Sequence, residues 1–346
     1  MNLVYGFSLT PQALMSIGRL RYGEALNRIT ELRNYWRRNG VLFVDRDDRY
    51  RESMVRMVRA SVQDQAVQTL LMEFLAGGLP VSRSPGFSFS DIPPARDASA
   101  PPGGSWFVEE SEMQAWAEDR ERPTVVTGGG VEVCRIDRFP QSRWACEPAN
   151  SGNLDLDPGS SSAEVLALFK PLRGAFKTLK VIDAYCGKEE VANPGRSGLV
   201  KFLSSLVRED GESPCAIRTV EVYTAKDVSV RQGSRTRVSG DEIREAWTRI
   251  VTQLESPLVG IDLHLIPGSR FARGEHDRFV SFCTASGGIC FQIGAGFGAF
   301  IGSRIRARCC ISSHPVAVAE KAIRSLKEQK GYEFERLTVG GNVRPA

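Results

Sequence analysis

Apolar positions recur every three to five residues at the start of the chain. Leu14, Ile17, Leu20, Ala25, Ile29, Leu32 and Trp36 lay one apolar face along Thr10 to Arg38, interrupted at Gly23, which predicts one helix or two. Val41 to Val44 is a short apolar run ahead of Asp45. Met54, Met57, Val58, Val62, Ala66, Leu70 and Phe74 then outline another long amphipathic helix that ends near Gly77 and Gly78. Residues 1–78 therefore read as a mainly helical domain. Residues 79–105 carry Pro80, Pro85, Pro93, Pro94, Pro101 and Pro102 with little to bury, the composition of a linker or an exposed loop. Residues 106–150 read as a small strand-containing segment, with a short helix and then strands at Thr124–Val126 and Val131–Ile136. Gly128, Gly129 and Gly130 between those strands lack the Lys-Ser/Thr of a nucleotide-binding loop, so they predict a hairpin turn.

From residue 160 to 330 the pattern alternates between helix and strand. Ser161 and Glu164 have the spacing of a capping box and open a helix with Val165, Leu168 and Phe169. Thr178 to Ala184 follows as a strand. Leu199, Phe202, Leu203 and Leu206 mark a helix, Ile217 to Tyr223 a strand, and Ser239 with Glu242 caps a helix through Leu254. Val259–Ile266, Arg278–Phe282, Ile289–Ile293 and Ser303–Ile311 read as further strands, and Pro315 opens a helix that runs to Leu326. The fold class expected is α/β: a mixed-sheet C-terminal domain behind a mainly helical N-terminal one, with 331–346 as a tail.

The chain has 346 residues, 42% hydrophobic and 25% charged, which excludes a fibrous or disordered polymer and allows two domains. A net charge of +4 neither demands nor excludes an anionic partner, because distribution matters more than total. Distribution is informative near the start: eleven arginines and no lysine lie between Arg19 and Arg59. They read either as a phosphate-contacting face or as solvated helix faces with intrahelical ion pairs. The uncharged run from Phe279 to Ser303 is long enough to cross a bilayer, but its glycines and polar residues suit buried strands. Met1 to Ser8 lacks the basic start and apolar block of a secretory signal, and the eight cysteines form no C-x-x-C pair, so a cytoplasmic location with buried thiols is expected. No metal site and no cofactor is predicted.

Candidate chemistry gathers late in the chain. His276 opens a strand behind a loop holding Arg270 and Arg273, and Arg278 follows it. Gly294-Ala295-Gly296-Phe297-Gly298 would let backbone amides approach an anion closely. Arg304, Arg306 and Arg308 alternate with Ile305, Ala307 and Cys309, which would set three guanidiniums on one strand face. Together His276, Arg278, Arg270, Arg273, Gly294, Gly296, Arg304, Arg306 and Arg308 suit a phosphate or phosphodiester. The imidazole of His276 is the one catalytic candidate, as nucleophile or general acid.

Asp183-Ala184-Tyr185 after a strand, Thr224 closing the next, His276-Asp277-Arg278, Gly288-Ile289 and the Gly294 to Gly298 turn fall in a meaningful order. Over residues 162–327 they resemble the phospholipase D-like domain found at the C-terminus of MIT-domain proteins, where Asp-Pro-Tyr, His-Asp-Arg and Gly-x-Gly-Leu-Asp recur. The resemblance implies a phospholipase D-like α/β fold, membrane phospholipid binding in eukaryotic members, and bacterial relatives in defence-type operons. The active motif of the wider family, His-x-Lys-x4-Asp, is broken here: Arg278 takes the lysine place and Cys283 the aspartate place. Gly298 replaces the acid of the glycine motif and Ala184 the proline. Two half-sites are normally required, so a single one would need a homodimer. The function expected is non-catalytic recognition of phosphate on nucleic acid or a protein complex, ahead of membrane phospholipid, as a component of a bacterial antiviral defence system. The alternatives are a phosphodiesterase or nuclease using His276, and a protein–protein scaffold.

Overall fold

In the computed structural model the described residues are 5–45, 49–76, 81–84, 105–114, 122–126, 132–150, 153–207, 215–227, 238–252, 254, 258, 260–271, 278–284, 287–306 and 308–338. They fall into two compact units, one within residues 1–152 and one within 153–346.

Helix predominates over residues 1–78 as expected, but the first unit is built around a six-stranded sheet that the expected helical domain lacked. Its elements run β1 (Tyr5–Leu9), α1 (Pro11–Gly18), α2 (Tyr22–Asn39), β2 (Gly40–Asp45), α3 (Arg49–Ser61), α4 (Gln65–Ala76), β3 (Val81–Ser84), β4 (Ser105–Val108), α5 (Glu110–Met113), β5 (Thr124–Val126), β6 (Glu132–Arg135) and α6 (Arg143–Asn150). The strands form one sheet in the order β3-β2-β1-β4-β6-β5, with every pairing parallel except β5 with β6. Strands buried on both faces are short continuous apolar runs with no period-2 signal. This is why Val41–Val44 gave so little warning that it is a strand, second from the sheet's edge, whereas Tyr5–Leu9 is only five residues long and interrupted by Gly6 and Ser8. Residues 1–78 and 106–150 are parts of one fold, because β1 pairs with β4 from Phe7 opposite Ser105 to Leu9 opposite Phe107.

The helices break where local chemistry stops them. Thr10 caps α1 by accepting from the Ala13 N–H at 3.1 Å, and the chain leaves the helix at Arg19, so Gly23 lies inside α2 rather than at the break. Asp64 separates α3 from α4 by accepting the N–H groups of Ala66 and Val67. Phe7, Trp36, Phe74, Phe107, Phe139 and Trp144 then fill the core.

The second unit runs β7 (Asn153–Leu156), α7 (Ser162–Ala167), β8 (Thr178–Ile182), α8 (Cys186–Ala192), α9 (Gly198–Val207), β9 (Thr219–Ala225), α10 (Gly240–Val251), β10 (Gly260–Ile266), β11 (Phe279–Thr284), β12 (Gly287–Ile293), β13 (Cys309–His314), α11 (Val316–Lys327) and β14 (Glu333–Thr338). It is an eight-stranded mixed sheet in the order β14-β10-β9-β8-β11-β12-β13-β7, in which β8, β9 and β10 are parallel and every other pairing is antiparallel. The Ser239–Glu242 capping box is present in full at α10. The expected tail contributes an edge strand, with Leu337 opposite Ile261, and Leu337 is buried. The strand expected over Ser303–Ile311 starts only at Cys309. Residues before it bond instead to the turn ahead of α7, through Ser162 N–H to the Ser303 carbonyl and Ile305 N–H to the Ser160 carbonyl.

Candidate functional site

Antiparallel pairing brings distant residues to one edge of the second sheet. Phe279, the first residue of β11, stands opposite Ile182, the last of β8, so Arg278 and Asp183 continue side by side beyond the strand ends. β12 returns to the same edge, where the Ile293 N–H donates to the Arg278 carbonyl at 2.8 Å, and the Gly294–Gly298 turn follows. This edge holds the carboxyl ends of β8, β9 and β10, the side on which open α/β sheets place ligands.

Asp183 is 1% exposed and bridges the two segments: Oδ1 accepts the Tyr185 N–H at 2.8 Å and Oδ2 the Phe297 N–H at 3.3 Å. Burial pushes its carboxyl upward, opposed by the Tyr185 amide and then by the charge of Arg278. Arg278 is half-buried. Its Nη1 donates to the Gly294 carbonyl at 3.0 Å, and its guanidinium lies 5.4 Å from the centre of the Tyr185 ring. Gly296, at φ +68°, is tight against both: a Cβ there would fall 2.7 Å from Arg278 Cδ and 2.9 Å from Asp183 Oδ2. Gly198 at the start of α9 closes the other side, since a Cβ there would overlap the Phe297 carbonyl.

Glu189 completes the wall. It sits on α8 one turn beyond Tyr185, whose carbonyl accepts the Glu189 N–H at 2.9 Å. Its Oε1 lies against Gly298 so closely that a Cβ on that glycine would overlap it. Among the described residues, buried Glu189 Oε2 has no donor and buried Arg278 Nε has no acceptor. Burial first, and then the charge of Asp183, push the Glu189 carboxyl up to about 7, with Arg278 and Lys188 opposing. An acid poised there beside a guanidinium can hold or release a proton near neutral pH.

The structure thus unites Arg278, Gly294 and Gly296, but it changes the glycines' role. The N–H groups of Gly294 and Gly296 donate to the Cys310 and Ile293 carbonyls, so neither is offered to an anion. The missing side chain of Gly296 instead makes room for Arg278 and Asp183, and that of Gly294 for the backbone of Cys310. Arg270 is exposed on the 3-10 turn after β10. His276 and Arg273 lie outside the described residues.

The three alternating arginines form no row on a strand. Arg304 donates to the Gly159 carbonyl at 2.9 Å, Arg306 is exposed, and Arg308 pairs with Asp155 at 3.2 Å. Burial pushes the Cys309 thiol up, opposed by the Ala295 backbone and the charge of Arg278, and burial with Asp155 pushes the Cys310 thiol up. Glu189 was missed by sequence reading; its four-residue spacing from Tyr185 on a helix was the available signal.

In the first unit several early arginines serve their own fold. Arg28 donates to the Asp137 carbonyl at 3.1 Å and covers the Phe139 ring, Arg33 donates to the Glu73 carbonyl at 3.1 Å, and Arg19 pairs with Glu109 at 3.7 Å. Arg21, Arg37, Arg56 and Arg59 remain exposed. The strand order reverses between β1 and β4, the place where doubly wound sheets bind ligands. There Thr10 donates to Glu112, which also accepts the Glu109 N–H at 2.8 Å, so the carboxylate satisfies the chain's own donors.

Among the described residues no group of three His, Cys, Asp or Glu could hold a metal ion, and no helix is long and apolar enough to cross a membrane. Cys134, Cys186, Cys215, Cys283, Cys290 and Cys309 are buried, while Cys146 is exposed. No protein-family model matches the chain, and no curated protein matches it in sequence.

Proposed function

We propose that the protein recognises phosphate groups, on nucleic acid or on a partner complex, through the Arg278 edge of its second sheet. The observation that carries this reading is the half-buried Arg278 guanidinium, held by the Gly294 carbonyl and the Tyr185 ring with its Nε still without an acceptor. A positioned guanidinium with an unused N–H matches a phosphate oxygen, and holding it in advance lowers the entropy cost of binding. Support also comes from the meeting of Asp183-Ala184-Tyr185, Arg278 and the Gly294–Gly298 turn in one place, since these segments carry the resemblance to the phospholipase D-like domain of the MIT type. Arg21, Arg37, Arg56 and Arg59 of the first unit are exposed and are further cations open to the same kind of partner.

Filter binding of single-stranded DNA and RNA across a salt series tests the reading. The expected affinity falls as salt rises, with a log–log slope of about −0.7 per phosphate neutralised. Affinity indifferent to salt contradicts it.

A second reading, a phosphodiesterase that uses His276, draws on the Glu189 carboxyl held near neutrality beside Arg278. Turnover of an activated aryl phosphodiester separates the two. Hydrolysis abolished by His276→Ala establishes the phosphodiesterase, and binding without turnover supports recognition alone.

A further inference from the structure

The Arg278 edge leaves two buried polar atoms without partners, and they are complementary. Arg278 Nε is a donor with no acceptor, and Glu189 Oε2 is an acceptor with no donor. Both groups border the same turn: Gly296 is pressed against the Arg278 side chain and Gly298 against the Glu189 carboxyl. A buried group left in this state is costly, so a ligand that satisfies both atoms gains from each.

A fully ionised phosphodiester satisfies only Arg278. It presents acceptor oxygens alone, and an ionised Glu189 would repel it. One proton between the phosphate oxygen and Glu189 removes the repulsion and supplies the missing hydrogen bond. Asp183 is less suited to this part, because each of its oxygens already accepts a backbone N–H group.

We propose that Glu189 is the second ligand contact of this site and shares a proton with a bound phosphodiester oxygen, so that the site takes the phosphate group together with one proton from solvent. The proposal rests on the phosphate-recognition reading above and adds which residue, besides the arginine, selects the ligand. No bond other than that to the proton is made or broken. The ionisable groups acting on Glu189 are Asp183 at the end of β8, Arg278 at the start of β11, and Lys188 and Glu190 on α8 itself. Asp183 and Glu190 favour the protonated carboxyl, and Arg278 and Lys188 oppose it. Burial adds to the first pair and leaves the carboxyl half-protonated at about 7, where the linkage is easiest to see.

The test is calorimetric titration of the whole chain with a thymidine oligonucleotide lacking terminal phosphates, whose own groups hold their charge near neutrality. Runs at about pH 8 in buffers of different ionisation enthalpy report the protons taken up. Wild type is expected to take up close to one proton per site and to lose affinity about tenfold per pH unit above about 7. Glu189→Gln, whose amide donates without titrating, is expected to bind with no proton uptake and a flat pH profile. Glu189→Ala is expected to bind more weakly at every pH.

Binding that depends on Arg278 but takes up no proton overturns this inference and leaves phosphate recognition standing, as does uptake unchanged in Glu189→Gln. Absence of binding in wild type overturns both. Matching melting temperatures of wild type and Glu189→Gln confirm that the comparison is between folded proteins.

Discussion

The imidazole of His264 lies flat on the ring of Tyr223, with centroids 4.1 Å apart and planes 2° from parallel. Its Nδ1 meets the Tyr332 hydroxyl at 2.6 Å, and its buried Nε2 has no partner among the described residues. Burial, assisted by Lys327, lowers its pKa to about 4. The unfolded chain, with an ordinary histidine near 6.5, takes the proton first as pH falls. Stability should therefore decline between about pH 6.5 and pH 4, by up to about 3 kcal/mol from this residue. Urea unfolding at both ends of that range should show a shallower decline for His264→Phe than for wild type. Equal declines would remove His264 as the cause.

Phe169 is fully buried and touches Phe202, Phe291 and Phe282, with ring centroids 5.2, 5.5 and 6.2 Å away. Phe169→Ala should cost about 3–5 kcal/mol by leaving a cavity that three rings cannot collapse to fill. A loss below about 1 kcal/mol in chemical denaturation would show that this cluster is not the core of the second unit.

Thr10 does two jobs in the first unit, capping α1 and donating to Glu112. Thr10→Ala should cost about 1–2 kcal/mol. It should also raise the Glu112 carboxyl further, because burial already pushes that group up and the Thr10 hydrogen bond opposes the push. Carboxylate titration by NMR checks the direction, and an unmoved Glu112 would contradict it.

Two glycines of the site separate binding from folding. Gly296→Ala places a methyl against Arg278 and Asp183 at a backbone conformation that is nearly exclusive to glycine, so affinity should fall at least tenfold for a strain of about 1–3 kcal/mol. Gly198→Ala meets a backbone carbonyl, which cannot move aside as a side chain can, and should destabilise the unit far more. Melting curves and oligonucleotide titration of the two variants check this contrast. Full affinity in Gly296→Ala would show that the turn does not position Arg278.

Much of the second unit was legible because its elements are marked locally. Ser239 and Glu242 announce α10, and the alternation through Ile217–Tyr223 announces β9. β14 was not legible, since Glu333, Glu335 and Arg336 sit on a half-exposed edge strand whose only buried residue is Leu337. The sheet of the first unit was legible only at β5 and β6: β1, β3 and β4 are four or five residues long, too short for a period to show, and β2 is an apolar run that periodicity cannot tell from a buried helix segment. At the site, adjacent motifs gave Arg278 and the glycine turn. Asp183 was quoted for its place in a motif, but its burial, and the approach of Glu189 to Gly298, depend on α8 packing against a turn more than a hundred residues away. The arginines at 304, 306 and 308 alternate as strand residues do, yet the carbonyl of Gly159 and the carboxylate of Asp155 draw two of them into local contacts.

Arg278 is the residue on which phosphate recognition turns. Titration of a fluorescent single-stranded oligonucleotide into wild type and Arg278→Gln, at several salt concentrations, tests it most directly. The substitution should weaken binding at least tenfold at low salt and make the salt slope shallower by about 0.7, one phosphate contact for a single strand. Equal affinities and equal slopes for the two proteins would contradict it.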